Sequence, residues 1–219
     1  MDEARIITID GPAGVGKSTI ARKTATALGI AYLDTGAMFR TLALHMGHGG
    51  LDFSEDRLEG CIGSLVFSLA GSGGETALIC NDVVAGQEIR TEDIGMLASR
   101  YAALPVVRSW LKKAQQELGR KYSLVAEGRD MGTVVFPDAP HKFFLDASPE
   151  TRARRRVNQL AESGVVEDLA VVTQRIRERD ALDRGRSIAP LRAAEDAVVI
   201  DTSALTLEDV FNEIMQRVA

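Results

Sequence analysis

The chain has 219 residues, of which 45% are hydrophobic and 26% are charged, a composition typical of a globular protein with a sizeable core. This composition disfavours disordered, collagen-like and disulfide-stapled proteins. With 26 basic and 31 acidic side chains, the net charge of -5 gives no general attraction to nucleic acid or to an anionic membrane. Any anionic partner is therefore expected to be a small molecule that is recognised locally.

The N-terminal residues are acidic where a secretory signal would be basic. No apolar run approaches the roughly 18 residues of a membrane-spanning helix. We therefore expect a cytoplasmic protein without a membrane or nucleic-acid partner. Nothing in the sequence implies a protein partner, so a monomer is expected.

Short β-branched runs alternate with stretches of helical periodicity, which predicts an α/β protein with a parallel sheet flanked by helices. The predicted strands of this sheet are residues 6–9, 30–33, 123–126, 142–145 and 198–200. The predicted helices are residues 18–28, 92–103, 106–119 and a last amphipathic helix over 207–218. Thr206 and Asp209 resemble a capping box before that last helix, and Thr91 can cap the helix that begins at residue 92.

The alternation of strand-like and helical segments is interrupted in the middle of the chain. Residues 65–69, 77–79 and 83–84 resemble short strands separated by glycines and by an Asn-Asp turn. This pattern predicts a small antiparallel insert within the α/β domain.

Arginine is concentrated in one region. Residues 152–192 hold ten of the twenty arginines and no lysine. A solvated helical face would explain a run of charges, but the planar guanidinium suits bidentate phosphate contacts that an ammonium group cannot copy. We therefore favour an oxyanion-binding role.

The first predicted strand and helix are joined by the pattern G-x-x-x-x-G-K-[ST]. In this P-loop the backbone amides surround phosphates, Lys17 reaches the outer phosphates and Ser18 can ligate Mg²⁺. The predicted ATP-binding residues are Gly11, Pro12, Ala13, Gly14, Val15, Gly16, Lys17, Ser18 and Thr19.

The P-loop alone does not separate switches from kinases. The D-x-x-G and N-K-x-D elements of a GTPase switch are absent from the sequence. A kinase needs an acceptor pocket, and three segments are candidates for it: 34–40, 126–132, and the set Arg179, Asp183 and Arg186. The first two follow predicted strands at the carboxyl edge of the sheet. The third set shares one helical face if the helix persists past Gly185.

Several segments together resemble the bacterial cytidylate kinases over essentially the whole chain: GPAGVGKST, LDTGAMFR, EGRDMGTVVFPDAPHKFFLDAS, RERDALDRGR, and Arg108 after a turn at Pro105. This resemblance implies phosphorylation of CMP and dCMP by ATP, with Mg²⁺, in pyrimidine nucleotide metabolism. It also implies one nucleoside-monophosphate-kinase domain. The core would comprise about 1–62, 106–148 and 190–219, with an NMP-binding insert at about 63–105 and an arginine-rich lid at about 149–189.

The resemblance assigns roles to individual residues. The predicted catalytic residues are Arg129, Arg179 and Arg186, which the resemblance supplies, together with Lys17 of the P-loop and Arg155 of the arginine-rich region; Ser18 of the P-loop is the predicted metal ligand. The implied CMP-binding residues are Arg40, Arg129 and Arg186 for the phosphate, Arg179 and Asp183 for the sugar, Ser99, Arg108 and Asp130 for the base, and Thr35.

Two positions depart from the family pattern. Phe39 stands where members usually carry Tyr, so a contact by a phenolic hydroxyl is lost there. Glu127 stands where the family often has Asp, and we treat it only as a possible partner of the metal's water shell.

A preference for cytosine also has a physical basis. A carboxylate at Asp130 can accept from the exocyclic amine, while Arg108 donates to a ring acceptor. Uracil presents an acceptor instead of the amine, and a good base-edge pair is worth ~1–3 kcal/mol. The alternatives for Asp130 are a helix cap or an ion pair with Arg129.

The expected chemistry is direct in-line transfer of the γ-phosphoryl group without a covalent intermediate. Arg152, Arg155 and Arg156 follow a helix start at Ser148 and are candidate lid residues. Two alternatives remain open: a P-loop kinase for UMP or a non-nucleotide acceptor, and a non-catalytic nucleotide-binding module.

Overall fold

The structure is a computed structural model that describes residues 5–162 and 164–218. Its strands are β1 (Ile6–Asp10), β2 (Ala31–Asp34), β3 (Phe67–Ala70), β4 (Ala77–Cys80), β5 (Val83–Val84), β6 (Leu124–Gly128), β7 (His141–Asp146) and β8 (Val198–Asp201). Five of them form a parallel sheet in the order β2-β6-β1-β7-β8, and β3, β4 and β5 form a separate antiparallel sheet. The predicted α/β class, parallel sheet and antiparallel insert are confirmed.

The helices are α1 (Lys17–Leu28), α2 (Thr35–Met46), α3 (Glu55–Ile62), α4 (Glu92–Tyr101), α5 (Pro105–Lys121), α6 (Pro149–Glu162), α7 (Leu169–Arg184) and α8 (Leu207–Val218). Thr91 accepts from the amide of Ile94, and Thr206 and Asp209 form the reciprocal bonds of a capping box. The two caps predicted from sequence are therefore present, and they fix where α4 and α8 begin.

The parallel sheet separates two hydrophobic cores. Ile7 and Ile9 of β1 are fully buried on one face, where α1 and α8 cover them. On the other face, Leu124 and Ala126 of β6 join a larger core with α2 and α5. Side chains alternate between faces along a strand, so a strand buried on both sides reads as a continuous apolar run. This burial holds the carboxyl ends of β1 and β6 at a fixed position.

The antiparallel insert is bound to the edge of the main sheet. The amide of Gly73, in the turn between β3 and β4, donates to the carbonyl of Ile30, and Thr76 Oγ1 accepts from the amide of Tyr32. Phe67 and Leu69 of β3 belong to the larger core. The insert therefore shares its hydrophobic core with the main domain, and the boundary at about 63–105 stays a prediction.

Among residues 5–162 and 164–218, no helix is both long enough and apolar enough to cross a membrane.

Candidate active site

The loop between β1 and α1 has the geometry of an anion cradle. A Cβ at Gly11 would lie 2.1 Å from the carbonyl oxygen of Leu145, so only glycine fits there. Gly16, the residue before α1, has φ 100, and no side chain caps the helix. The first turn of α1 also lacks acidic residues. Its free amides and positive helix end therefore remain available to phosphate oxygens.

Lys17 carries its charge at the base of this loop. Its side chain is only 6% exposed, and Nζ donates to the carbonyl oxygen of Pro12 at 2.7 Å. Burial, followed by repulsion from Arg129, lowers the pKa of Lys17 to about 7, against the attraction of Glu127 and Asp10. The ammonium group is thus held in a site where the nearby carboxylates of Glu127 and Asp10 do not offset the loss of solvent.

The lowered pKa of Lys17 predicts a pH dependence of stability. Between pH 7 and the ordinary lysine value of 10.5, the unfolded chain binds the proton that the folded chain has lost, so stability rises with pH. We expect the unfolding free energy to gain about 1–2 kcal/mol between pH 7 and pH 9 from this group. Urea unfolding at both pH values should show the gain in the wild type and its loss in Lys17→Met. Parallel pH profiles for the two proteins would contradict this assignment.

A hydroxyl and a carboxylate lie beside Lys17 and fit a hard cation. Ser18 Oγ donates to Glu127 Oε2 at 3.0 Å, and the Tyr32 hydroxyl donates to Glu127 Oε1. Burial, followed by repulsion from Asp34, raises the pKa of Glu127. No group of three or more His, Cys, Asp or Glu residues within the described ranges could hold a metal ion. This oxygen pair suits Mg²⁺, which keeps several waters and binds mainly to substrate phosphates.

A cleft of about 770 Å³ opens from the P-loop toward α2, α4 and α7. The predicted site residues that line it are Ala13, Gly14, Lys17, Ser18, Arg40, Ser99, Arg129 and Arg179. Thr35 lies behind this wall, where its buried hydroxyl donates to the carbonyl of Glu127. The structure therefore brings the phosphate-binding loop and three of the predicted arginines to one cavity.

Asp183 joins one further predicted arginine, Arg186, to this cluster through Arg129. Its carboxylate accepts from Arg129 Nε at 2.9 Å and also from Arg186. Burial alone would raise the pKa of Asp183, but Arg129 and Arg186 outweigh it and hold the pKa below its usual value. Helix α7 ends at Arg184 with Gly185 as its cap, so the condition for a helical face shared with Arg186 is not met. The ion pair to Asp183 nevertheless keeps Arg186 beside Arg129.

Arg108 and Asp130 form a nearly buried ion pair, with 2.6 Å between Nη2 and Oδ2. Asp130 makes no capping bond to the turn that follows it, and its ion-pair partner among the described residues is Arg108, not Arg129. Burial raises the pKa of Asp130, and the positive charges of Arg108, Arg186 and Arg129 only partly oppose this shift. The Arg108 guanidinium also lies 5.8 Å from the centre of the Phe39 ring. Arginine therefore packs beside the aromatic ring that departs from the family pattern.

The three candidate lid arginines occupy different environments. Arg152 is only 1% exposed and pairs with Asp180, so it is a buried structural group and not a free lid residue. Arg155 donates to the hydroxyl and the carbonyl of Thr202, which follows β8. Arg156 lines the cleft. The catalytic role of Arg155 stays a prediction that requires the lid to move.

A second cavity of about 440 Å³ lies on the other side of the P-loop. Its walls include Val15, Thr19, Arg155, Thr202 and Leu207. The P-loop thus has one neighbouring cavity rich in arginine and another that is largely apolar.

Three side chains at this edge of the sheet were not predicted from the sequence as parts of the site. Arg90 lines the cleft and lies 3.8 Å from a carboxylate oxygen of Asp34, although only its position before the cap at Thr91 pointed to it. Tyr32 holds Glu127, and nothing in the alternation of β2 predicts that contact. Asp10 is buried, which raises its pKa to about 6 against two backbone hydrogen bonds. Its place at the end of β1 was the available signal.

The glycine-rich loop after the central strand and the arginines across the cleft can each bind a phosphate group. Together they are typical of an α/β protein that binds two phosphate-bearing ligands. A sequence model described as cytidylate kinase matches residues 7–219. The cytidylate kinase of Nitratidesulfovibrio vulgaris strain DP4 is 56% identical over 98% of this chain and 92% of its own length. That of Oleidesulfovibrio alaskensis is 54% identical over 99% of both chains. The chain therefore belongs to the cytidylate kinase family.

A solved structure shows a related fold at much lower sequence similarity. An uncharacterized protein from Eubacterium ventriosum matches with a TM-score of 0.50 and 14% identity, over 98% of this chain and 97% of that chain. At this identity the match concerns the fold alone.

Proposed function

We propose that the protein transfers the γ-phosphoryl group of ATP directly to CMP and dCMP, producing CDP and dCDP for pyrimidine nucleotide metabolism. The observation that carries this proposal is that Lys17 of the P-loop and the guanidinium groups of Arg40, Arg129 and Arg179 line one cleft. A donor phosphate chain and an acceptor phosphate need these opposing cationic walls to come within reacting distance.

The donor occupies the P-loop side of the cleft. The amides at the start of α1 and the Lys17 ammonium bind the phosphates, while the largely apolar second cavity beside Thr19 and Leu207 accommodates the adenine. Ser18, with Glu127 behind it, is the residue that would hold Mg²⁺. When bound, Mg²⁺ neutralises negative charge on the phosphate oxygens.

The acceptor occupies the arginine side. Arg40, Arg129 and Arg186 bind the phosphate of CMP, and Arg179 with Asp183 binds the sugar. Asp183 fixes Arg129 and Arg186 in the absence of substrate, so less conformational entropy is lost on binding. Ser99 of α4 completes the wall of the acceptor pocket, and Thr35 of α2 supports that wall from behind through its bond to the Glu127 carbonyl.

The base of the acceptor is read by the Arg108 and Asp130 pair. Asp130 accepts from the cytosine amine, and Arg108 donates to a ring acceptor. Because the two side chains already pair at 2.6 Å, substrate binding exchanges part of that ion pair for base contacts. Uracil would place its carbonyl oxygen against the Asp130 carboxylate and leave two acceptors opposed.

Transfer proceeds in line, with Lys17, Arg129, Arg179 and Arg186 neutralising charge on the transferring group. The region at about 149–189 acts as the lid, and its closure excludes water and brings Arg155 toward the phosphates. We further infer a cytoplasmic monomer with the core, insert and lid boundaries given above.

An acceptor panel tests this proposal. With ATP and Mg²⁺, we expect CMP and dCMP to be phosphorylated with a kcat/KM about 5- to 150-fold above that for UMP. This range corresponds to the free energy of one good base-edge pair. AMP should be a poorer acceptor still. Coupled measurement of ADP release, with chromatography of the nucleotide products, gives these ratios. Equal efficiencies with CMP and UMP would remove the base-reading role, and no transfer to any monophosphate would remove the kinase function.

Asp130→Asn tests the base contact within the same panel. Unlike the carboxylate, the amide also carries an NH₂ donor that can face the uracil carbonyl, so the preference for CMP over UMP should fall toward unity. Asp138→Asn is the matched control, because Asp138 is an exposed acid in the same segment. An unchanged preference in Asp130→Asn would show that another group reads the base.

A further inference from the structure

The turn that follows Asp130 has an unusual source of capping. Residues Met131–Val135 form one π-helical turn after β6, with Val134 N donating to the carbonyl of Asp130 and Phe136 N to that of Met131. The first amides of such a turn have no partner inside it. An aspartate directly before a helical turn commonly accepts these bonds itself. Asp130 occupies that position, yet its carboxylate makes no capping bond and pairs with Arg108 instead.

The missing cap is supplied by another strand. Asp10, the last residue of β1, accepts from Met131 N through Oδ1 at 2.9 Å and from Gly132 N through Oδ2 at 2.8 Å. Its side chain is only 4% exposed. The register of the sheet places Asp10 opposite Gly128, two residues before Asp130. The end of β1 and the turn after β6 are therefore adjacent. Both carboxylate oxygens of Asp10 are thus used on the turn.

We propose that Asp10 is a positioning residue for base recognition: by capping the Met131–Val135 turn, it leaves the Asp130 carboxylate free to face Arg108 and the acceptor base. Without Asp10, the amides of Met131 and Gly132 lose these partners, and Asp130, directly before the turn, stands at the position from which a carboxylate can cap them. Asp130 would then turn from the base toward its own backbone. This inference rests on the proposed function, since it concerns which acceptor base the protein prefers.

The test compares Asp10→Ala and Asp10→Asn with the wild type in the acceptor panel. Asp10→Ala removes both capping bonds, and Asp10→Asn keeps one oxygen acceptor. We expect the preference for CMP over UMP to fall about tenfold in Asp10→Ala and less in Asp10→Asn, mainly through a higher KM for CMP. The KM for ATP should stay within about threefold, because the Asp10 carboxylate makes its hydrogen bonds to the turn and acts on Lys17 only through a charge attraction that burial outweighs.

Thr8→Val is the matched control. Thr8 precedes Asp10 by two residues on the same strand, and its buried hydroxyl has no hydrogen-bond partner among the described atoms. The isosteric valine should therefore keep the wild-type base preference. A second control is the double variant Asp10→Asn with Asp130→Ala. The effect of Asp10→Asn on base preference should vanish there, since it acts only through Asp130.

The outcomes separate this inference from the function on which it rests. A wild type that does not prefer CMP contradicts the proposed function. A wild type that does, combined with an unchanged preference in both Asp10 variants, overturns the positioning role. Equal losses with CMP and UMP, a rise confined to the KM for ATP, additive effects in the double variant, or unfolding of both Asp10 variants would also overturn it. Each of these results would assign Asp10 to the donor site or to the fold.

Discussion

Lys17→Met should lower kcat/KM for CMP phosphorylation by about a thousandfold, equivalent to ~4 kcal/mol of lost transition-state stabilisation. The buried ammonium lines the cleft and makes one hydrogen bond among the residues that the structure describes, to the Pro12 carbonyl, so it can exchange that bond for phosphate oxygens at little cost. Methionine has a similar length and no charge. The negative charge that develops during transfer would then lose its nearest compensating group from the P-loop.

Steady-state kinetics with ATP and CMP, together with thermal unfolding of the same samples, measure this effect. Because the wild type holds the Lys17 charge in a desolvated site that lowers its pKa to about 7, the methionine variant should be at least as stable as the wild type near neutral pH. Activity and stability should therefore change in opposite directions. A loss of less than tenfold in kcat/KM, or a parallel loss of stability, would contradict this role of Lys17.

Lys17→Arg is the informative companion variant. Arginine retains the charge but replaces a compact ammonium group with a planar fork that needs more space. The loop holds Lys17 at 6% exposure, and Gly11 already approaches the Leu145 carbonyl so closely that a Cβ would clash. We therefore expect Lys17→Arg to recover only a minor part of the activity. Recovery to near the wild-type rate would show that charge alone is needed.

The P-loop and the five parallel strands could be predicted because their signals are local. A β-branched run followed by G-x-x-x-x-G-K-[ST] determines both the elements and the chemistry at β1 and α1. The strand boundaries differ from the predicted ones by at most two residues, as at 123–126 against Leu124–Gly128. The family assignment, by contrast, came from the resemblance of several segments and not from periodicity.

Contacts between distant segments could not be predicted from local patterns. Tyr32 and Glu127 are 95 residues apart and meet only because β2 and β6 are neighbours in the sheet. Whether α7 continued to Arg186 also could not be predicted from sequence. The helix ends at Arg184, before Gly185, and an ion pair to Asp183 positions Arg186 instead. Strand order and capping by remote side chains depend on tertiary packing, which no short window of sequence contains.

The same limitation applies to the contact between α6 and α7, where Arg152 forms a buried ion pair with Asp180. The guanidinium donates to both carboxylate oxygens and to the backbone carbonyls of Ala147 and Ala13. It thereby joins α6, α7 and the P-loop. The sequence showed only a run of arginines and acids, in which this pair could not be distinguished from exposed neighbours.

Asp180→Ala should destabilise the protein by ~3–5 kcal/mol, because it leaves the Arg152 charge buried without a counterion. Urea unfolding of the full chain measures this free energy. The double variant Arg152→Met with Asp180→Leu removes both charges and should recover most of the lost stability, since a buried ion pair can be replaced by apolar side chains at little net cost. A cost below 1 kcal/mol for Asp180→Ala would show that water reaches the Arg152 guanidinium.

The double variant should not recover activity to the same extent. Arg152 Nη1 donates to the Ala13 carbonyl at 3.1 Å, and Ala13 lies within the loop that we propose binds the donor phosphates. A methionine cannot make this bond, so the loop loses a fixed contact even when the core is repacked. We expect kcat to stay about tenfold below the wild type in a protein of nearly normal stability. Recovery of stability without recovery of kcat would distinguish the two roles of Arg152. Recovery of both kcat and stability would restrict the role of Arg152 to stabilising the contact between α6 and α7.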